Sequence, residues 1–296
     1  MEKATSVGDN TWLIDIYMGD IPGFAAVYAL QGEEGVALVD AGVSKSRARI
    51  IEGLREAGIS KEEVLYIIVT HIHLDHAGGA GYLLQDLPNA KVVMAENRME
   101  ELMQPERLVK SARRALGAVF GMYGDLIPID RSRMLGVKEP MELDIGGRAL
   151  RVFPTPGHAA SHICVEDRTE SMLFCGDALG MYLAEEGKVI PTTPPPDFDL
   201  EKQRQTLEAL AGLDCGRTCF THYGCAGNCS DLARASLHAL EVMVETVKEG
   251  MHKDRDPQSM AEELMQIMEI ESPYGILMFS SMSLVSVNGL MLYFRK

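Results

Sequence analysis

Apolar residues come in short runs early in the chain and in long periodic stretches late in it. Residues 11–16 (TWLIDI), 24–30 (FAAVYAL) and 35–40 (GVALVD) are β-rich runs split by Gly and Pro turns, which predicts three strands. Residues 44–57 place Ile50, Ile51 and Leu54 on one helical face, with Gly58 as the stop. Residues 64–69 (VLYIIV) are apolar throughout, the pattern of a strand buried on both faces. A short helix near 79–87 and a strand at 91–95 follow. Residues 97–125 have helical period and mixed charge, and read as part of a helical insertion spanning about 97–137. The pattern then predicts a strand at 148–153, a hairpin pairing 162–166 with 171–175, a helix at 199–211 and a last short strand at 218–221. The proline run at 194–196 marks an exposed loop. Beyond about 230 the chain is helical, in segments 230–249, 257–270 and 274–293. No internal repeat appears. Strands interleaved with helices predict a layered α/β fold with helices outside, its functional groups on loops at strand ends.

Composition narrows the class. The chain has 296 residues, 46% hydrophobic and 24% charged, which suits a globular protein with a sizeable core. The net charge of -15 repels a phosphate backbone, so no nucleic-acid partner is expected. The basic run Arg107, Lys110, Arg113 and Arg114 reads as a solvated helix face. The start, MEKATSVGDN, has no charged region leading into an apolar stretch, and the six cysteines do not form a disulfide framework. A cytoplasmic protein is expected. Residues 275–294 carry no charge and are long enough to span a bilayer. Ser280, Ser281, Ser283, Ser286 and Asn288 dilute that run, so the expectation is a buried C-terminal helix or a homodimer contact, without a membrane.

The chemistry concentrates in residues 70–79 (THIHLDHAGG), directly after the buried strand. His71, His73, Asp75 and His76 offer three imidazoles and a carboxylate, good ligands for zinc, iron or manganese. In extended chain an H-x-H pair turns both rings to one side. One loop rarely completes a metal site, and other strand ends supply further donors. His158 follows a Pro-Gly turn in PTPGH, Asp177 ends FCGD, and His222 lies in FTHYG.

With these residues in view, the sequence resembles the metallo-β-lactamase fold superfamily. The matching pieces are His71-Ile-His73-Leu-Asp75-His76, Pro156-Gly157-His158, Gly176-Asp177 and His222, with Asp40 in an early Val-Asp-Ala-Gly turn. The resemblance covers roughly residues 11–225 and is specific for fold and metal rather than for substrate. It implies an αββα sandwich, taken here as residues 1–229, and the helical pattern beyond it predicts a C-terminal helical extension at 230–296 packing on or near the active site. It further implies two divalent metal ions, zinc first and iron or manganese as alternatives. His71, His73 and His158 would hold one ion, Asp75, His76 and His222 the other, and Asp177 would bridge them. A hydroxide shared by the two ions would be the nucleophile. Asp75 would orient it or relay its proton. Asp40 would fix the tautomer of a ligand imidazole. His162 would do likewise or meet substrate, and Tyr182 or Tyr223 would donate to a substrate oxygen.

Departures from subfamily patterns prune the list. The diiron flavoproteins of this fold carry a glutamate where this chain has His73. Glyoxalase II-like enzymes differ around Thr221-His222-Tyr223-Gly224, and no basic glutathione clamp is evident. The RNA-processing branch carries a large inserted domain. Lactonases usually end sooner after the last ligand, whereas 74 residues follow His222 here. Met260, Met265, Met268, Met278, Met282 and Met291 fall on apolar faces of that segment, for core packing or for a pocket taking a substrate with an apolar part. Cys215, Cys219, Cys225 and Cys229 are spaced C-x3-C-x5-C-x3-C, unlike the usual C-x2-C of structural metal sites. Reduced thiols are the default, with a second metal or a redox switch as the alternative. The leading reading is a metal-dependent hydrolase of an ester-type bond: a thioester, lactone or other carboxylic ester, ahead of a phosphodiester. The rivals are a mononuclear iron persulfide dioxygenase and a metal-containing regulatory binding protein.

Overall fold

A computed structural model describes residues 3–296, except the side chains of Ala115, Ala118 and Ser281; Ser281, in the diluted C-terminal run, therefore lies outside the described side chains. Seven strands form the first sheet in chain order: β1 (Ala4–Gly8), β2 (Thr11–Asp15), β3 (Ala26–Gln31), β4 (Val36–Val39), β5 (Val64–Ile68), β6 (Lys91–Ala95) and β7 (Met134–Val137). The first four are antiparallel neighbours, and β4 to β7 run parallel. The second sheet contains β8 (Met141–Asp144), β9 (Ala149–Pro154), β10 (Ile163–Asp167) and β11 (Met172–Gly176). A small hairpin, β12 (Met181–Leu183) with β13 (Lys188–Ile190), stands apart. The strands β14 (Arg217–Phe220) and β15 (Gly224–Ala226) complete the second sheet, in the order β15-β14-β11-β10-β9-β8.

Period-two alternation explains why the sheets stack. In β3, Ala26, Tyr28 and Leu30 face the second sheet, while Val27 and Ala29 face the outer helices. In β11, Met172 and Phe174 point between the sheets, and Leu173 and Cys175 point outward. Both faces of both sheets are therefore apolar, and each outer face needs a helical cover. On the first sheet α1 (Arg47–Glu56) supplies Ile50 and Leu54. The short helices α2 (Leu74–Ala77), α3 (Ala80–Leu83) and α4 (Met99–Met103) add Ala77, Leu83 and Leu102. Two more, α5 (Glu106–Leu116) and α6 (Phe120–Tyr123), follow in the insertion. On the second sheet lie α7 (Leu200–Leu210), α8 (Cys229–His252), α9 (Pro257–Ile267) and α10 (Pro273–Phe294). The architecture is an αββα sandwich with a C-terminal helical segment.

Three details bear on the sequence pattern. The α-helices of the insertion stop at Tyr123, one 3-10 turn follows at Arg131–Arg133, and Met134–Val137 is a strand, parallel to β6 at the sheet edge. Four residues are too few to display a period. Second, Leu240, Met243 and Val247 of α8 share one core with Leu173 and Phe220 of the second sheet. Residues 230–296 thus pack as a helical layer on the outer face of the second sheet. Third, the six methionines singled out in that segment lie in or against this core, as the core-packing alternative expects. The helix α10 is long and apolar enough to cross a membrane, and 53% of its apolar window is buried inside the protein.

Candidate metal centre

Four strand ends converge on one edge of the sandwich. After β5, the loop through His71 and His73 enters α2, which carries Asp75 and His76. After β9, Gly157 adopts φ +148°, and any Cβ there would overlap Gln203 of α7, so only glycine lets the chain turn to present His158. After β11, Gly176 at φ +49° sits against His162 and Thr70 and delivers Asp177. After β14 comes His222.

The side chains form two adjoining clusters. In the first, His71 Nε2 lies 2.7 Å from His73 Nδ1, His158 Nε2 lies 3.1 Å from the same atom, and Asp177 Oδ2 lies 3.4 Å from His158 Nε2. In the second, Asp75 Oδ2 lies 3.9 Å from His76 Nε2 and 3.3 Å from His222 Nε2. The other oxygen of Asp177, Oδ1, faces this second cluster, 3.5 Å from His76 Nε2 and 3.9 Å from His222 Nε2. Donors about 2.1 Å from a tetrahedral ion lie about 3.4 Å apart, and the observed separations bracket that figure. His76 Nε2 and Asp177 Oδ1 are buried without a hydrogen-bond partner among the described residues. Orphaned buried polar atoms are costly unless something absent from the chain satisfies them. The donor set fits divalent metal, in the groupings His71–His73–His158, His71–His76–Asp177 and Asp75–His76–His222.

The opposite nitrogens are held from behind. His76 Nδ1 donates to Asp40 Oδ2 (2.8 Å), His158 Nδ1 to the Thr192 carbonyl (3.1 Å) and His222 Nδ1 to the Phe24 carbonyl (3.0 Å). These bonds aim each Nε2 into the site. Asp40, fully buried, also accepts from Thr70 N, Thr70 Oγ1 and Thr221 Oγ1 (2.6–2.8 Å). One carboxylate thereby ties together the loops that carry His71, His76 and His222.

Electrostatics follow from burial and charge. Burial, aided by neighbouring imidazoles, holds His71 and His158 well below the usual histidine range, leaving neutral rings with free lone pairs. Burial acts the same way on His76, but Asp40, Asp177 and Asp75 outweigh it and push it to about 10. Burial opposes ionisation of Asp75, yet His76 and His222 hold its carboxyl well below the usual range.

The remaining candidates fall in different places. His162 is buried, and Nε2 accepts the Asp177 N–H (3.1 Å) while Nδ1 meets Thr155 Oγ1 (2.8 Å). It braces the bridging aspartate and makes no contact that would serve substrate; burial depresses it to about 3, so it stays neutral. The Tyr182 ring stacks on Phe220 at 5.4 Å, against the core outside the second sheet, and its N–H donates to the His222 carbonyl (2.6 Å). Tyr223 is half-buried beside Gly23 and Tyr274. Tyr123, at the end of α6, was not singled out in the sequence and lies within reach of the site's charges. Burial raises its phenol, and so do the nearby charges of Asp75 and Asp177. Nothing in its local sequence marks it, because the insertion folds back only in three dimensions. Ser44 Oγ anchors it by donating to its carbonyl (3.0 Å).

Comparisons with known proteins agree with this geometry. The family model described as "Metallo-beta-lactamase superfamily" matches residues 20–222. The chain is 36% identical over 209 residues to "Metallo-beta-lactamase fold-containing protein ST1585" of Sulfurisphaera tokodaii, covering 69% of this chain and 75% of that protein. It is 27% identical over 189 residues to a "Hydroxyacylglutathione hydrolase" of Prochlorococcus marinus, covering 62% of this chain and 60% of that one. It is also 27% identical over 165 residues to "Acyl-coenzyme A thioesterase MBLAC2" of Gallus gallus, covering 52% and 57%. Among solved structures, metallo-β-lactamase family protein TTHA1429 from Thermus thermophilus superposes with a TM-score of 0.74 at 22% identity. That alignment covers 98% of this chain and 94% of the other, so the likeness in fold extends over the C-terminal helices. From the fold, the donor clusters and these matches together, the chain belongs to the metallo-β-lactamase superfamily and is a hydrolase of that superfamily.

Proposed function

We propose that this protein is a dinuclear metal-dependent hydrolase of ester-type bonds, with a thioester as the first candidate substrate. The observation that carries this reading is Asp177, whose two oxygens face separate donor clusters. His71, His73 and His158 would hold one ion, Asp75, His76 and His222 the other, and Asp177 both. When bound, divalent cations there supply Lewis acidity and lower the pKa of a water so that hydroxide is available near neutral pH. Zinc is the first choice, and iron or manganese accept the same imidazole and carboxylate donors.

The chain's own groups do the rest. Asp75 stays ionised, so it is a good acceptor but a weak base; its role is to orient the attacking water. Tyr123 stays protonated and donates to the substrate carbonyl oxygen, where negative charge develops. Phe24, edge-on to His222 with ring centroids 5.8 Å apart, and Tyr223 offer aromatic walls for an apolar acyl arm. Two similar proteins carry names of thioester hydrolases, which supports the thioester over the lactone.

The test is elemental analysis together with a hydrolysis panel of thioesters, lactones and phosphodiesters. Expected are two metal ions per chain, a loss of one ion in either His158→Ala or His222→Ala, and thioester cleavage abolished in both. One iron per chain with oxygen uptake on a persulfide would overturn the reading in favour of a dioxygenase. Full metal loading with no turnover on the panel would point to a regulatory binding protein.

A further inference from the structure

The four clustered cysteines do not converge on one point. Cys215 and Cys229 lie in the core behind the second sheet, whereas Cys219 belongs to the core between the sheets and Cys225 packs against it. Cys219 in β14 and Cys225 in β15 are directly opposed in the antiparallel register. Their sulfurs lie 2.6 Å apart, closer than two unbonded sulfur atoms normally approach. Directly opposed antiparallel residues have Cα atoms about 4.5–5.5 Å apart, inside the span a disulfide accepts. Between them runs the loop that carries Thr221 and His222. The Tyr28 hydroxyl braces both ends of that loop, on the carbonyls of Phe220 (2.6 Å) and Gly224 (2.9 Å).

The two thiols differ in a way that suits stepwise oxidation. Of the six cysteines, all unbridged, five are buried and Cys225 alone is partly exposed. The adjoining Cys219 thiol, with the charge of Arg217, favours the Cys225 thiolate against its burial. Cys219 is buried, and burial keeps it a thiol.

We propose that Cys219 and Cys225 form an oxidative modification site, converted by a hydroperoxide into a disulfide that ties together the two ends of the His222 loop. The Cys225 thiolate attacks the outer peroxide oxygen. The O–O bond breaks, an alcohol or water leaves with a proton, and Cys225 becomes a sulfenic acid. The Cys219 thiol then attacks that sulfur, the S–S bond forms and water leaves. Two thiols are oxidised by two electrons in total, and the hydroperoxide is reduced by two. The chemistry is independent of the hydrolysed substrate, since neither cysteine is a metal donor in either cluster.

The test is mass-spectrometric thiol mapping of the purified full-length protein after treatment with hydrogen peroxide, followed by alkylation. Expected is the loss of two of the six free thiols, linked as Cys219–Cys225 and restored by a dithiol reductant. Cys225→Ser abolishes the linkage, and Cys219→Ala leaves a sulfenic acid on Cys225 that a dimedone probe captures. Six free thiols after treatment, or a linkage between Cys215 and Cys229, would overturn the proposal whether or not any variant folds, because both are read on the unmodified chain.

Discussion

Asp40 and Asp177 show how much a single carboxylate can organise. Asp40 sits at φ +65°, a conformation that side-chain-bearing residues adopt rarely, and there both of its oxygens are engaged. Asp40→Asn replaces one acceptor oxygen with a donor facing His76 or the threonines. The expected outcome is a loss of about 10–100-fold in metal affinity, read by competition with a chromophoric chelator. Tyr123→Phe removes one donor and nothing from the metal clusters. Its kcat should fall by about tenfold or more with metal content unchanged, the loss of a hydrogen bond to a charged oxygen costing about 1.5–3 kcal/mol. An unchanged kcat would remove Tyr123 from the chemistry. At this scale the metal donors were legible because imidazole and carboxylate groups recur at strand ends within short motifs. The position of Tyr123 was not legible, because it depends on how the insertion packs back on the sheet.

Among the elements, α10 matters for the site although it contributes no donor to it. Its Ser286 holds Thr193, through Thr193 N to Ser286 Oγ (3.3 Å) and Thr193 Oγ1 to the Ser286 carbonyl (2.8 Å). The neighbouring Thr192 orients His158. This close approach requires Gly289, where a Cβ would overlap the Thr193 carbonyl and the Pro195 nitrogen. Gly289→Ala should therefore push α10 away from the 191–196 loop. A stability loss of about 1–3 kcal/mol is expected from overpacking, seen in Tm, together with weaker metal retention on the His158 side. Loss of stability with full metal retention would show that helix and site are uncoupled. The long helices were readable from period alone. The strands β1, β7, β8, β12, β13 and β15 were not, because these short segments lack the apolar runs of the central strands and pairing alone makes them strands.

For the whole molecule, a buried arginine joins the two sheets. Arg148, just before β9, donates to Asp167 Oδ2 through Nε and Nη2 (2.9 and 2.5 Å). It also reaches across to the Asn10 and Gln31 carbonyls (3.0 and 3.1 Å) and Thr11 Oγ1 (2.6 Å). Arg148→Met strands a buried carboxylate and several carbonyls, so a loss of about 3–5 kcal/mol in urea unfolding is expected. On the outside, α10 leaves Ile276, Leu277, Val285 and Leu292 exposed.

The sequence by itself determined the donor set and the α/β alternation, because ligand chemistry and hydrophobic period are local properties written into short windows. Tertiary structure alone decided three things. It placed one Asp177 oxygen in each cluster, joined α8 to the second sheet's core, and set Cys219 opposite Cys225 across the His222 loop. Each depends on contacts between segments far apart in the chain or on the register of a strand pair, which no short window of sequence specifies.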